Sequence, residues 1–287
     1  MEKVLFSDNV GGIMVERIER DSNFNMMSKH FHNEYEIYYL ASGERYYFIE
    51  KQTYYIKKGT LVFIDRNQIH KTVMANTTYH DRILMLLSED ALDAIFNLYD
   101  NIDIRSFFAK NSGVIELNEL GQTYLENLIS DITTELRGKH TGFEFVMKAK
   151  IAELIIFAYR CQTGENAKMQ AETIHSEKYR KINEIAEYIT HNYQHNISLA
   201  DIAQRFYISK SYLSRIYKEV TGFTVNEYIN IVRIKKAQQM LESTDYSITQ
   251  IAEQIGYDSI TYFEKVFKKY IEQSPLKYRK KLERHKK

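Results

Sequence analysis

The sequence predicts an α+β protein in which a small antiparallel β-barrel is followed by an all-α region. Between about residues 10 and 87, short segments rich in Tyr, Phe, Ile and Val alternate with turn residues, as strands at regular spacing do. From about residue 90 onward, apolar residues recur with the period of a helix instead. A chain of 287 residues, 44% of them hydrophobic, can bury two cores, which favours two domains over one.

The strand-like pattern is clearest in residues 35–73, YEIYYLASGERYYFIEKQTYYIKKGTLVFIDRNQIHKTV. Turns are predicted at Ser42-Gly43, Glu50-Lys51-Gln52, Lys58-Gly59 and Arg66-Asn67. Gly, Asn and Ser favour turns because they accept or stabilise backbone conformations that other residues avoid. The spacing of these turns predicts a small barrel or sandwich of antiparallel strands.

Two helical segments follow the strands. The first, YLENLISDITTEL, carries one apolar stripe, which consists of Leu125, Leu128, Ile129, Ile132 and Leu136. The second, FVMKAKIAELIIFAYR, is apolar over more than one face and therefore needs two partners. We expect helices over residues 118–160 that flank the barrel and form a homodimer interface, although packing within the domain alone would also use this surface.

Charge is unevenly distributed along the chain. The formal net charge is +1, yet residues 178–287 carry 20 Lys and Arg against 12 Asp and Glu, a balance of +8. The remainder carries 19 against 26, a balance of −7. A chance surface distribution would give the same totals, but the asymmetry favours a polyanionic partner for the C-terminal part alone.

Cysteine usage and the absence of targeting signals predict a cytoplasmic protein. Cys161 is the single cysteine, so no disulfide framework can form within the chain. Its place at a predicted helix end argues against a catalytic thiol. The N-terminus lacks the apolar core of a signal peptide, and the longest apolar run, residues 154–159, is too short to span a membrane.

The C-terminal part contains an internal repeat of about fifty residues. SLADIAQRF (198–206) matches SITQIAEQI (247–255), and YISKSYLSRIYK (207–218) matches YDSITYFEKVFK (257–268). The second copy has one extra residue, for which we take Gly256. Each copy has the pattern of a helix, a short turn and a second helix.

The repeat therefore predicts two helix-turn-helix units, at about residues 199–220 and 248–270, joined by a long helix over residues 226–242. Ser198 and Ser209 are predicted to cap the two helices of the first unit. The apolar residues that each second helix would bury are Leu213, Ile216 and Tyr217 in the first copy and Phe263, Val266 and Phe267 in the second.

The second helix of such a unit can lie in a major groove of DNA. Arg215 suits guanine, Ser211 or Ser214 suits several bases, and Glu264 can accept a hydrogen bond from a cytosine amine. The residues that we expect to contact DNA are Lys210, Ser211, Ser214, Arg215, Lys218, Ser259, Ile260, Thr261, Glu264, Lys265 and Lys268. A helical bundle with charged outer faces would give one such pattern, but two tandem copies in the basic part favour DNA binding.

Residues from about 182 to 281 resemble the DNA-binding domain of the AraC/XylS family of bacterial transcription regulators. The matching stretches are SLADIAQRFYISKSYLSRIYKEVTGFTVNEYINIVRIKKAQQML and SITQIAEQIGYDSITYFEKVFKKYIEQSPLKYRKK. The sole proline, Pro275, stands where the family has one, whereas Ser209-Lys210 replaces the usual Ser-Pro. The resemblance implies a homeodomain-like all-α domain with two helix-turn-helix motifs that binds promoter DNA.

A group of potential metal ligands lies in the strand-like part. In KHFHNEYEIYYL (29–40), His30 and His32 share a face if the segment is a strand, and Glu36 keeps the same parity. His70 follows in GTLVFIDRNQIH. Three His and one Glu can bind Mn, Fe, Ni or Zn, and the same polar groups can line a pocket for an organic molecule.

Residues 29–70 resemble the cupin barrel, whose two motifs place metal ligands at these spacings. The chain departs from the second motif, because Asp65-Arg66-Asn67 replaces its Pro-x-Gly and Met74 replaces its final Asn. AraC/XylS regulators often carry a cupin-like sensor before the DNA-binding domain. The resemblance implies a cupin-like effector-sensing and dimerisation domain over 1–165, a linker over 166–177 and a DNA-binding domain over 178–287.

These observations predict a sequence-specific transcription regulator, not an enzyme, that responds to a small-molecule effector. The family resemblance implies an activator that works with RNA polymerase, and many relatives sense sugars. Tyr rings can stack on a sugar while His and Glu bind its hydroxyls, although Tyr stripes in strands also form cores. The residues that we expect to bind the effector are His30, His32, Glu36, Tyr38, Tyr47 and His70, with Tyr55 as a further candidate.

Other interpretations of the same residues stay open. A divalent metal held by His30, His32, Glu36 and His70 would make the barrel a metal-loaded sensor, or a metal-dependent cupin enzyme fused to a DNA-binding domain. No cofactor is expected if an organic effector uses these residues. The histidines would also serve purely structural hydrogen bonds, and an architectural protein would use the C-terminal helices without sequence preference.

Overall fold

The computed structural model describes residues 2–22, 31–96, 104–110, 113–163 and 177–285. Contacts divide the chain into two compact units, of which the first is Met1–Ile49 with Thr53–Ile174 and the second is the rest. An antiparallel sheet with helices precedes a run of helices, so the predicted α+β class is confirmed. Of the predicted linker 166–177, all but Glu177 lies outside the described residues. Every helix in the described part of the chain is too short or too polar to span a lipid bilayer.

The first unit, called the sheet domain here, contains the strands. They are β1 (Glu2–Val10), β2 (Ile13–Asp21), β3 (Tyr35–Ile49), β4 (Gln52–Lys57), β5 (Thr60–Ile64), β6 (His70–Met74), β7 (Tyr79–Leu87) and β8 (Val114–Glu116). Hydrogen-bonded neighbours follow the order β1-β2-β7-β3-β5-β8, and β4 and β6 each pair with β3. The pairings of β3 with β5, β6 and β7 are antiparallel, as the regular turns predicted.

Strand β3 organises this sheet because it changes partners along its length. Its first half pairs with β5 and β7, and its second half, from Arg45, pairs with β6. The register shifts between Leu40 and Ser42, as at a β-bulge. The predicted turn at Ser42-Gly43 is therefore wrong. Gly43 has φ +90° inside the strand, and a Cβ there would lie 2.4 Å from the Tyr79 carbonyl oxygen, so glycine supplies both the backbone conformation and the close approach.

Two further strands lie outside the region predicted for them. β1 precedes residue 10, and most of its residues are exposed or half-buried, so it lacks the apolar alternation of a core strand. β8 has three residues and lies within the part predicted to be helical. It pairs with β5, opposite Leu61 and its neighbours. Both strands form because they pair with a neighbouring strand, and neither has a clear strand pattern in its own sequence.

The two faces of the sheet pack against different neighbours. One face, with Ile37, Tyr39 and Met85, packs against helices in a large apolar core. The helices of the sheet domain are α1 (Glu89–Phe96), α2 (Ile104–Lys110), α3 (Glu119–Gly138) and α4 (Phe143–Thr163). The other face, called the inner face here, carries a smaller apolar cluster made of strand residues, namely Tyr38, Leu40, Tyr47, Ile49, Ile56, Val62, Ile64 and Val114. Two of the predicted effector residues, Tyr38 and Tyr47, belong to this cluster.

The second unit, called the helical domain here, is built from seven further helices among its described residues. They are α5 (Glu177–Asn192), α6 (Leu199–Arg205), α7 (Lys210–Thr221), α8 (Val225–Ser243), α9 (Ile248–Gln254), α10 (Ile260–Ile271) and α11 (Pro275–His285). The pairs α6–α7 and α9–α10 correspond to the two copies of the repeat, and α8 joins them. The apolar residues predicted to be buried in α7 and α10 are buried.

Serine caps fix the start of each helix in the repeat. Ser198 and Ser209 begin α6 and α7 as predicted, and each side chain accepts a backbone N–H three residues ahead. Ser247 and Ser259 do the same for α9 and α10. Because a cap satisfies a helix N–H that would otherwise lack a partner, these serines define where each of the four helices starts.

The extra residue of the second copy is not the one predicted. Tyr207 and Gly256 both follow the last residue of a capped helix by two positions, and both have positive φ, 54° and 86°. In each turn the next residue donates its backbone N–H to the alanine carbonyl of the preceding helix. Tyr207 and Gly256 are therefore equivalent, and the additional residue is Asp258, immediately before the cap Ser259.

Candidate functional sites

A buried carboxylate is at the centre of a polar cluster on the inner face. Glu36 of β3 is 3% exposed, and its Oε2 lies 3.1 Å from His32 Nε2 and 3.3 Å from His70 Nε2. Its Oε1 accepts a 2.7 Å hydrogen bond from the Tyr47 hydroxyl. Four of the residues predicted to bind an effector therefore lie together. We call His32, Glu36, Tyr47 and His70 the Glu36 cluster.

Backbone carbonyls orient the two imidazoles. His32 Nδ1 lies 3.1 Å from the Glu34 carbonyl oxygen, and His70 Nδ1 lies 2.8 Å from the Gln68 carbonyl oxygen. A carbonyl can only accept, so each Nδ1 carries a proton and each Nε2 faces Glu36. A neutral ring would then present a lone pair to a carboxylate. Protonation of Nε2, a bound cation or a ligand hydroxyl between the groups would remove that conflict.

The charges of the Glu36 cluster shift its titration. Burial alone would raise the pKa of Glu36, but the charge of His70 and hydrogen bonds from both imidazoles hold it well below its usual range. Burial opposes protonation of His32, yet the hydrogen bond and charge of Glu36 outweigh burial and raise the pKa of His32. The cluster therefore favours an ionised Glu36 beside a protonated His32.

The structure separates the other predicted effector residues. Tyr38 is buried on the inner face, and its ring centroid lies 5.3 Å from that of Tyr47. Tyr55 lies apart from them, because its hydroxyl donates to Glu44 and the neighbouring residue of β4 packs on the inner cluster instead. The predicted contact His30 lies outside the described residues.

Ligand atoms of His32, Glu36 and His70 all lie within 4.8 Å of one another. Both imidazoles direct Nε2 toward the carboxylate, and both Nδ1 atoms are held by carbonyls, as in many metal sites. These residues fit a divalent ion in composition and direction, with two imidazoles and one carboxylate as ligands. A bound ion would act there as a Lewis acid or as a structural cross-link.

Four basic residues of the inner face, namely Arg20, Arg45, His80 and Arg82, are not among the predicted site residues. Three of them are less than 10% exposed, and the Arg82 side chain is 14% exposed. One signal was available, since Arg45 lies two residues before Tyr47 and shares its parity. A charged residue on the apolar face of a strand indicates either an ion pair or a ligand site.

The eleven residues predicted to contact DNA are all exposed. In α7 they lie on the face opposite Leu213, Ile216 and Tyr217. The Arg215 guanidinium lies 5.7 Å from the Tyr212 ring centroid, a cation–π contact that limits the orientations of Arg215. Helix α7 therefore presents a hydrophilic face that can enter a major groove.

Helix α10 presents a different face. Ile260 and Tyr262 are 40% and 52% exposed at its start, where α7 has Lys210 and Tyr212. Glu264 then stands where α7 has Ser214. An exposed isoleucine suits contact with a thymine methyl group, and a glutamate suits a cytosine amine. Helices α7 and α10 therefore occupy equivalent positions in the two copies of the repeat but expose different side chains.

Comparison with known proteins identifies both parts of the chain. An "AraC-like ligand binding domain" model matches residues 12–100, and a "Helix-turn-helix domain" model matches residues 202–281. The Msm operon regulatory protein of Streptococcus mutans is 34% identical over 102 residues, which cover 36% of this chain and 37% of that protein. The HTH-type transcriptional activator RhaR of Mannheimia succiniciproducens is 24% identical over 250 residues, which cover 87% and 86%. The crystal structure of ToxT from Vibrio cholerae O395 is 18% identical, covers 94% of this chain and 98% of ToxT, and gives a TM-score of 0.37.

A ligand-binding sheet domain followed by two helix-turn-helix units defines a DNA-binding transcriptional regulator. The two relatives above are named as regulators. The chain thus carries an AraC-like ligand-binding domain and a C-terminal helix-turn-helix domain, and the curated proteins that it resembles are transcriptional regulators.

Proposed function

We propose that the chain binds one promoter duplex through α7 and α10 in successive major grooves, under the control of an effector in the sheet domain. The observation that carries this proposal is the repetition of a capped helix-turn-helix with two exposed reading faces. The basic charge of residues 178–287 supports it, because phosphate contacts supply most of the affinity for DNA.

Helix α8 supports the two-groove arrangement. Its 19 residues correspond to a rod of about 28 Å, comparable with the roughly 34 Å between successive major grooves on one face of a duplex. Capping by Thr224 and Glu227 fixes the start of α8. A stiff connection of this length would hold the two reading helices at a constant separation, so one chain would require two correctly spaced sites.

The direct test is selection of binding sites by the full chain. Random duplexes and fragments of the source genome would be bound, recovered and sequenced at a stated salt concentration. We expect enrichment of two unlike short elements about one helical turn apart. Equal recovery of all sequences would contradict the proposal and favour an architectural DNA binder.

Replacing Arg215 by alanine is expected to weaken binding to the selected site by about 1–3 kcal/mol and to relax preference at one base position. The reason is that its guanidinium can form a bidentate contact with guanine. The matched control is Lys218→Ala on the same helix, which should weaken all sequences equally and lower the salt slope by about 1. Measured affinities for every single-base variant of the site would decide. Equal weakening of all sequences by Arg215→Ala would limit that residue to phosphate contact.

The effector is proposed to bind at the Glu36 cluster, with Tyr38 beside it. A polyhydroxylated molecule such as a sugar suits this set, because hydroxyls can both donate to Glu36 and accept from the imidazoles. The effector would act only through a difference in its affinity for two arrangements of the protein. Activation through RNA polymerase is proposed by analogy with the activator RhaR, whose name states that role.

A homodimer through α3 and α4 is also proposed. Leu120 of α3 is 82% exposed and Phe145 of α4 is 76% exposed, which is unusual for such large apolar side chains. Phe145→Glu is expected to raise the dissociation constant of the dimer at least about tenfold, since it would bury a charge in the interface. Lys58→Glu, at the exposed β4–β5 turn, is the control. Sedimentation at several concentrations would measure both, and an unchanged monomer–dimer equilibrium would rule out this surface.

A second candidate function is favoured by the convergence of His32, Glu36 and His70. A divalent ion there would make the sheet domain a metal-dependent sensor or a cupin-type enzyme. Metal analysis of the purified full chain tests this alternative. Stoichiometric metal that is lost in His70→Gln would support it, and metal-free protein that still responds to an effector would exclude it.

A further inference from the structure

Four basic side chains on the inner face form what we call the inner basic cluster. Arg20 of β2 lies directly opposite His80 of β7, and Arg82 lies opposite an inner-face leucine of β3. Alternate residues of a strand share a face, so these three side chains point to the same side of the sheet. Arg45 joins them because it lies two residues before Tyr47, a member of the inner apolar cluster.

Burial makes this concentration of charge costly. Arg45 is fully buried, Arg20 is 6% exposed, and the Arg82 side chain is 14% exposed. Glu2 lies 2.7 Å from Arg20 and Glu16 lies 2.8 Å from Arg82, and both carboxylates are more exposed than the arginines with which they pair. The positive groups are thus the more deeply buried partners. Charges in such a poorly solvated place interact strongly with one another and with any ion that joins them.

Titration of the cluster reflects this concentration of positive charge. Burial, followed by the charges of Arg45, Arg20 and Arg82, lowers the pKa of His80 to about 4, so the imidazole is neutral near neutral pH. Burial and the charges of Arg20 and Arg82 lower the pKa of Arg45. An anion among these groups would relieve their mutual repulsion.

The buried hydroxyl of Tyr38 is a second observation, separate from the charges of the inner basic cluster, that indicates a ligand. Tyr38 is 3% exposed, and its hydroxyl has no hydrogen-bond partner among the described residues. Burial raises the pKa of Tyr38, and Arg82 and Arg45 are the charges that oppose this rise most strongly. A buried hydroxyl without a partner destabilises the folded protein, so an acceptor that arrives with a ligand would remove that loss.

We propose that the effector of the sheet domain carries an anionic oxygen group, a carboxylate or a phosphate, which accepts from Tyr38 and pairs with Arg45 and Arg82. This inference rests on the proposed function, in which the effector binds on the inner face. Guanidinium groups donate in a fork that matches carboxylate and phosphate oxygens. The Glu36 cluster would bind hydroxyls of the same molecule, which makes an acidic or phosphorylated sugar the effector class.

The test adds sodium acetate or inorganic phosphate to the full chain at constant ionic strength, with chloride as the reference anion. Thermal unfolding and the ring resonances of His80 are the two readouts. We expect acetate or phosphate to raise Tm and to shift His80 at pH 7. Tyr38→Phe should still fold, because it removes a hydroxyl without a partner, and should weaken anion binding about tenfold. Arg82→Gln should weaken it at least as much.

The matched control is Arg17→Gln. Arg17 lies on the opposite face of β2, where it pairs with Asp81, so its loss should leave anion binding unchanged. Stabilisation by acetate alone would assign a carboxylate, and stabilisation by phosphate alone would assign a phosphate. The inference is overturned if neither anion exceeds chloride, if Tyr38→Phe and Arg82→Gln bind as the wild type does, or if glucose stabilises the chain and no anion does. Site selection on DNA is independent of these results, so its failure would overturn the proposed function instead.

Discussion

Replacing Glu36 by glutamine is expected to lower the free energy of unfolding by about 3 kcal/mol at pH 6, because it breaks a buried, charged network. Glu36 contacts His32, His70 and Tyr47 at once, and it is 3% exposed. A neutral amide would keep the hydrogen bond from Tyr47 and lose the attraction to the imidazoles. Urea unfolding of both proteins, followed by circular dichroism, measures the difference.

The effect should depend on pH in a defined direction. The pKa of Glu36 is lowered in the folded protein, so its stabilisation is present above about 4.5 and is lost as the pH falls from there toward the folded value. The pKa of His32 is raised, so its contribution is present below about 6.5 and is lost as the pH rises through the folded value. The difference between wild type and Glu36→Gln should therefore be largest between about pH 4.5 and 6.5.

Glu34→Gln provides the matched control. Glu34 is the same residue type two positions earlier, it also lies near His32, and its side chain is 44% exposed. Because exposed ion pairs contribute little, this substitution should change stability by no more than about 0.5 kcal/mol. A flat difference across pH for Glu36→Gln, or equal effects of both substitutions, would show that the buried network does not stabilise the sheet domain.

Replacing Gly256 by alanine is expected to destabilise the helical domain by about 3 kcal/mol, enough to reduce DNA binding at 37 °C. The backbone has φ +86° there, and a Cβ would lie 2.5 Å from the Gln194 carbonyl oxygen. Both features oppose any side chain, and the carbonyl belongs to the backbone, so it cannot rotate away. Thermal unfolding monitored at 222 nm would measure the loss.

The first copy of the repeat supplies the control for this prediction. Tyr207 occupies the equivalent position, has φ 54°, and is 96% exposed, so its side chain meets open solvent. Tyr207→Gly should stabilise the chain slightly, by about 0.5 kcal/mol, because relief of the left-handed conformation is partly offset by the entropy of glycine. If Gly256→Ala and Tyr207→Gly changed the free energy of unfolding in the same direction, the equivalence of the two turns would be wrong.

The helical domain could be predicted almost residue by residue, because its signals are local. Serine caps at Ser198 and Ser209 and the apolar stripes predict the helix starts of the first copy, and the duplication carries the same pattern to the second copy, where the structure shows caps at Ser247 and Ser259. The error there concerned which residue of the second turn is additional, and backbone dihedral angles at Gly256 resolve it. A positive φ at a tyrosine has no signature in one sequence.

The sheet domain was predicted less completely, because its pairings are long-range. A Ser-Gly pair predicts a turn, yet β3 continues through Gly43 after a register shift and lies close to Tyr79 of β7 there. The prediction joined His32 to Glu36 by parity along one strand, but β3 begins at Tyr35, so this reason is wrong and His32 contacts Glu36 from the residues before the strand. The inner basic cluster was missed because Arg20, Arg45 and Arg82 come from three strands whose register no local pattern specifies.

The unlike surfaces of α7 and α10 have a consequence for the DNA that such a chain would occupy. A palindromic binding site is unchanged when it is rotated by 180°. A site matched to Lys210 and Ser214 at one end and to Ile260 and Glu264 at the other is asymmetric and therefore directional. Inverting that sequence in place would turn the bound protein end for end. The orientation of the site in the chromosome would thus determine whether each bound copy of the protein faces upstream or downstream.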